Sequence, residues 1–137
     1  MDERLKIANQ AMMETFLNRV EGLHDSILRA AILQNTGYVD GDGWMHGDDN
    51  LPDMQLYFQS QSSSVIGVEL LLEGVSWLNL RFPKGFDEAD GEVLSDGTVL
   101  YPYGKGAGSK SEIRCRSVSY RMLGMESRGS HGAFGTI

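Results

Sequence analysis

Apolar positions recur at three- and four-residue spacing through the first twenty residues. Leu5, Ala8, Met12, Phe16 and Val20 fall on one helical face, which Met13, Leu17 and Leu23 widen. The spacing predicts a helix over 3–21, with Asp2 and Glu3 at its start and Gly22 as the residue that ends it. A lone helix must bury such a stripe, and a sheet is the nearest cover. From residue 25 the period shortens to two. Residues 25–39 read as a long first strand with a bulge, Asp40-Gly41-Asp42-Gly43 as a turn, and Trp44-Met45-His46 as a short return strand. Met54, Leu56 and Phe58 alternate with Gln55, Tyr57 and Gln59, the pattern of a half-buried strand.

Ile66, Val68, Leu70 and Leu72, followed by Ser76, Leu78, Leu80 and Phe82, predict a hairpin over 65–82 that turns at Glu73-Gly74. Asp96-Gly97 marks a second hairpin between Glu92–Ser95 and Thr98–Tyr103. The last strand, Ile113–Met122, changes phase between Cys115 and Val118, so a β-bulge is expected near Arg116 or Ser117. The expected class is α+β: an N-terminal amphipathic helix packed on a mostly antiparallel sheet of about six to eight strands. That sheet is a meander, either one curved layer or a sandwich. One domain is expected over 1–122, and 123–137 as a glycine-rich flexible tail.

Charge changes this picture. The 137 residues carry a net charge of −7, yet 1–29 sum to −1 and 81–137 to +1. Between Arg29 and Arg81 there is no lysine or arginine, while Asp40, Asp42, Asp48, Asp49, Asp53, Glu69 and Glu73 all lie there. A field of that sign repels phosphate backbones and attracts a basic protein, so nucleic acid is not an expected partner. No apolar run is long enough to span a bilayer, and the N-terminus lacks the continuous apolar core of a signal peptide. With one cysteine, no internal disulfide can form, and a reducing cytoplasmic location is expected.

Candidate chemistry is sparse. A calcium loop begun at Asp40 would need an oxygen ligand, a glycine and an acid where Trp44, Met45 and Leu51 stand, so turn chemistry explains the segment better. His24 and Asp25 are adjacent, which on a strand would turn them to opposite faces. Three scattered histidines have no zinc spacing, and Gly104–Ser109 lacks the order of a phosphate loop. Cys115 is expected to be buried and inert. No catalytic residue, metal or cofactor is expected. Tyr57, Gln59, Gln61, Glu69, Trp77 and Asn79 would share one exposed face if their strands were neighbours.

His24-Asp25-Ser26 near the end of the first helix, Gln59-Ser60-Gln61, the run Leu70–Val75 with Leu78-Asn79-Leu80 after it, and Tyr120-Arg121 form a pattern over residues 16–121. It resembles a family of small bacterial proteins, some of them candidate immunity proteins beside polymorphic toxins. Leu72 stands where that family tends to have Phe, and Tyr120 where Trp is usual. The resemblance implies a cytoplasmic α+β protein that neutralises a toxin, and implies no catalytic residues. The expected function is therefore binding of a basic protein, with Asp40, Asp42, Asp48, Asp49 and Asp53 supplying the field and Trp44, Tyr57 and Trp77 as anchors. The alternatives are a ligand-binding, metal-binding or enzymatic site near His24, Asp25 and His46, and a homodimer or larger structural homo-oligomer.

Overall fold

The computed structural model describes residues 3–47, 51–61, 66–82, 88–105 and 111–124. Strand β1 (Arg4–Ile7) leads into helix α1 (Gln10–Arg19). Ten strands follow: β2 (Ser26–Gln34), β3 (Tyr38–Val39), β4 (Met45–His46), β5 (Asp53–Ser60), β6 (Gly67–Glu73), β7 (Trp77–Asn79), β8 (Asp90–Leu94), β9 (Gly97–Tyr101), β10 (Glu112–Cys115) and β11 (Ser117–Leu123). They form a five-stranded sheet in the order β1-β11-β6-β5-β2, a four-stranded sheet in the order β7-β10-β9-β8, and the separate ribbon β3-β4. Every pairing is antiparallel. The class is α+β as expected, but with eleven strands in three sheets in place of six to eight in one meander.

The helix is shorter than its stripe suggests. Asn9 caps it by accepting a hydrogen bond from Met12 N at 2.9 Å, so helical geometry starts only at Gln10. The residues before it find a better arrangement as a strand. Leu5 and Ile7 turn inward opposite Tyr120 and Val118, while Arg4 and Lys6 turn outward. Met13 and Phe16 are fully buried, with the Phe16 ring 4.6 Å from that of Tyr120. The helix ends in an unusual turn: Glu21, Gly22 and Leu23 all have positive φ, near +60°. Gly22 tolerates this freely, and Leu23 is held there by burial and by its N–H bond to Val20 O at 2.9 Å.

The predicted 65–82 hairpin does not form. Gly74 is a corner and not a hairpin turn, because β6 pairs with β11 while β7 pairs with β10. The chain pair β6–β7 and β10–β11 is thus one long ladder that crosses from one sheet to the other. Arg116 N donates to Glu73 O at 2.9 Å at the crossing. The phase change near Arg116 is this passage between sheets, while the bulge expected in the first strand is found in β2, between Leu28 and Ala30. The first strand bends at a glycine, and the Arg116 side chain of the second packs into the space that glycine leaves. Gly74 has φ +66°, and a Cβ there would lie 2.1 Å from Arg116 Nε. The inner faces of both sheets close over α1 in one core that includes Met13, Phe16, Leu56, Leu70, Leu100 and Ile113.

The expected exposed face over Tyr57, Glu69 and Trp77 is overturned as well. Trp77 belongs to the other sheet, and Tyr57 and Glu69 are buried. Glu69 lies across the strands from both Tyr57 and Arg121, and its carboxylate binds Arg121 Nη2 at 3.1 Å and Arg4 Nη2. Of the expected tail, Leu123 is a buried strand residue, and 125–137 lie outside the described residues. The corner geometry predicts that Gly74→Ala costs about 2–3 kcal/mol in urea unfolding, from left-handed strain and overlap. Gly41→Ala, where nothing lies within 4 Å, should change stability by less than about 0.5 kcal/mol.

Candidate docking surface

The segment between β2 and β5 forms an arm. Those two strands pair with each other from Ser26↔Ser60 to Gln34↔Asp53, and the chain beyond Gln34 runs out into the ribbon β3–β4 before returning. Asp40 builds the tip. Its Oδ1 accepts from Asp42 N at 2.9 Å and Trp44 N at 3.0 Å, and its Oδ2 meets His46 Nε2 at 2.7 Å. Its backbone N–H donates to Trp44 O and its carbonyl accepts from Gly43 N. With Gly43 at φ +87°, this is a three-residue hairpin loop whose last residue is left-handed. The two strands pair Tyr38 with His46, whose rings stack 4.7 Å apart, and Val39 with Met45.

These hydrogen bonds hold the Asp40 carboxyl below its usual 3.8, with the His46 bond as the main cause and the Trp44 amide next. Three hydrogen bonds tie this carboxylate to the turn, in keeping with turn chemistry for the segment. Among the described residues no group of three or more His, Cys, Asp and Glu side chains converges as a metal site would require.

A two-stranded ribbon has too little interior to bury large side chains. Tyr38, Val39, Trp44 and Met45 are accordingly between 61% and 73% exposed, on both faces of the ribbon. At its foot, Ile32, Leu33 and Leu51 are exposed as well, and Leu33 reaches 52% although it lies on the core side of the sheet. Scattered exposed apolar residues are ordinary, but seven of the thirteen exposed large apolar side chains among the described residues fall within 32–51, which makes this stretch the candidate docking surface.

Of the residues singled out in the sequence, the arm brings together Asp40, Asp42 and Trp44. Asp48 and Asp49 lie outside the described residues. Asp53 sits at the start of β5, half-buried, where it accepts from Gly74 N at 3.0 Å. Tyr57 is 3% exposed and unavailable as a surface anchor, and burial pushes its phenol pKa up. Trp77 is 57% exposed but on β7, past the corner. Tyr38, Val39 and Met45 were missed by the sequence reading, and their signal is two short apolar pairs flanking a turn too tight to carry a core strand pair.

The residues of the alternative site are dispersed. His24 Nδ1 and Asp25 Oδ2 do approach, to 3.0 Å, because Asp25 has φ +58° and precedes β2, so the alternation of a strand does not yet apply. Both are solvent-exposed. His46 lies beyond the far end of β2, about 30 Å away at the usual strand rise. A groove of about 560 Å³ lies between α1 and β8, lined by Glu14, Glu21, Glu88, Asp90 and Lys105 without a histidine, cysteine or hydroxyl side chain. Lys105 is itself bonded to Glu92 at 2.7 Å. Cys115 is buried against Thr98 O, and burial pushes its thiol pKa up to about 12. Comparison with models of known families, with curated proteins and with solved structures finds no match.

Two outcomes are expected. Because the Asp40 pKa is depressed, its contribution is present at neutral pH and lost as pH falls through the folded-state value, below 3.8. Trp44 fluorescence should therefore show an acid step in that window, and Asp40→Asn should abolish the step while leaving the core's Tm within about 2 °C. Cys115 should resist a thiol reagent at pH 8 in the native protein and react fully in denaturant.

Proposed function

We propose that this chain is a non-enzymatic protein-binding module that docks a basic protein through the β3–β4 arm. The observation that carries this reading is an exposed apolar cluster on a segment with acids and no lysine or arginine. Trp44, Met45 and Tyr38 supply the aromatic and methionine anchors typical of interface centres. Asp42, Asp48 and Asp49 supply a negative field that raises the encounter rate with a cationic surface. Asp40 supports the field less directly, because its role is to shape the turn. Glu69 contributes little, since Arg4 and Arg121 neutralise it.

The sequence resemblance to candidate immunity proteins names the kind of partner: a toxin, and most simply a nuclease, which must be cationic to approach a phosphate backbone. A ligand-binding or catalytic reading near His24, Asp25 and His46 is less favoured, because His24 and Asp25 precede β2 while His46 lies beyond its far end.

The test takes as its probe any cationic toxin found encoded beside this chain's gene, and the absence of such a gene refutes the toxin reading. Trp44→Ala combined with Met45→Ala should weaken binding at least about 30-fold, chiefly through faster dissociation. Lysine at Asp42, Asp48 and Asp49 should slow association about tenfold at low salt and flatten its ionic-strength dependence. Unchanged affinity in the first variant, or an unchanged salt slope in the second, refutes the reading.

A further inference from the structure

Four strands lie at the edges of the two larger sheets, and three of them are managed. β1 is four residues long and carries Arg4 and Lys6, and β7 is three residues long. β8 is covered by α1: the Gln10 side chain donates to Gly91 O at 3.2 Å and accepts from Val93 N at 2.8 Å, as a neighbouring strand would. These are the ordinary defences of an edge: shortness, charge and cover. β2 has none of them over its second half. It is nine residues long and has a strand on one side only among the described residues. Its one charge, Arg29, sits at the bulge and bonds to Gln59 Oε1 of β5 at 2.6 Å. Ala31, Ile32, Leu33 and Gln34 are exposed.

We infer that this edge pairs with the same edge of a second copy of the chain, joining two five-stranded sheets into one across a two-fold axis. The sequence of β2 is self-complementary for this. Residues directly opposite in an antiparallel pair share a face, so the axis must pass through a residue. With the axis through Ile32, each Ile32 faces its copy on the outer face. On the inner face each Leu33 faces Ala31 of the second copy, a large residue against a small one. Ala30 falls opposite Gln34 and Arg29 opposite Asn35, so no like charges meet. Moving the axis to Ala31 would set Arg29 against Leu33, a poorer match. β2 holds no acid, so it offers a basic partner nothing, and a neutral self-matching edge fits a second copy better than a cationic protein. The inference stands independently of the role proposed for the arm.

Analytical ultracentrifugation of the full chain over micromolar to millimolar concentrations should show a reversible species of twice the 15.1 kDa chain mass. Ile32→Lys places two ammonium groups face to face and should weaken dimerisation at least about 100-fold, with the circular dichroism spectrum unchanged. Register is tested by cross-linking. Ile32→Cys should give a covalent dimer under air oxidation, whereas Ile27→Cys should not. A chain that stays monomeric throughout, including one whose β2 is protected from hydrogen exchange only by another protein, overturns the inference. So does a dimer that survives Ile32→Lys, or equal cross-linking at both cysteine positions.

Discussion

One antiparallel ladder, bent in the middle, holds the molecule together. β6 and β11 run side by side in the larger sheet, cross at Gly74 and Arg116, and continue as β7 and β10 in the smaller one. Each backbone hydrogen bond in that ladder serves a local pairing, and the ladder as a whole sets the angle between two sheets. The core under the corner is shared: Leu70 and Leu72 come from one side, Leu100 and Ile113 from the other, and Phe16 from the helix between. Gly97 completes the crossing, since a Cβ there would stand 2.5 Å from Cys115 O. The corner therefore has glycine at Gly74 on one crossing strand and at Gly97 on β9, the strand that packs against the other.

That architecture leaves one region outside the shared core. The hairpin of β2 and β5 extends past the area that α1 and the smaller sheet cover, and its tip becomes the arm. What stabilises the arm is polar: the carboxylate of Asp40 gathers two amides and an imidazole. What the arm displays is apolar. A hydrogen-bonded frame carrying unburied aromatic and methionine side chains is a pre-organised surface, which loses little conformational freedom when it meets a partner. Elsewhere among the described residues exposed large apolar side chains are spread over several elements, as with Met12, Ile27, Trp77, Phe82 and Leu94, whereas here they fall within one short stretch of chain.

Strand identity was largely legible in the sequence, because alternation in 54–60 and 66–73 is a local property. Pairing was not. A Glu-Gly pair between two apolar runs reads the same whether the runs fold back on one another or diverge to separate neighbours, and only the distant β10–β11 segment decides. The helix start was misplaced because Leu5 satisfies both a helical and an alternating pattern, and the competition is settled by the free edge of β11 and the cap at Asn9. At the candidate surface, the turn at Asp40–Gly43 was legible from its residues. The exposure of its apolar flanks was not, because the same residues in a longer hairpin would be core. Tyr57 was misjudged for the converse reason: alternation placed it on the face away from the core correctly, but its ring lies over Gly67, where a Cβ would meet Tyr57 Cε1 at 3.0 Å.

The Gln10 amide on β8 ties two elements that could otherwise come apart separately. Gln10 is the first residue of α1, in the turn where a helix is most prone to fray. Unwinding that turn would withdraw a substitute for a missing strand and lay open the backbone groups of Gly91 and Val93 in the same event. Local loosening of this helix end and the exposure of the β8 margin are therefore a single process.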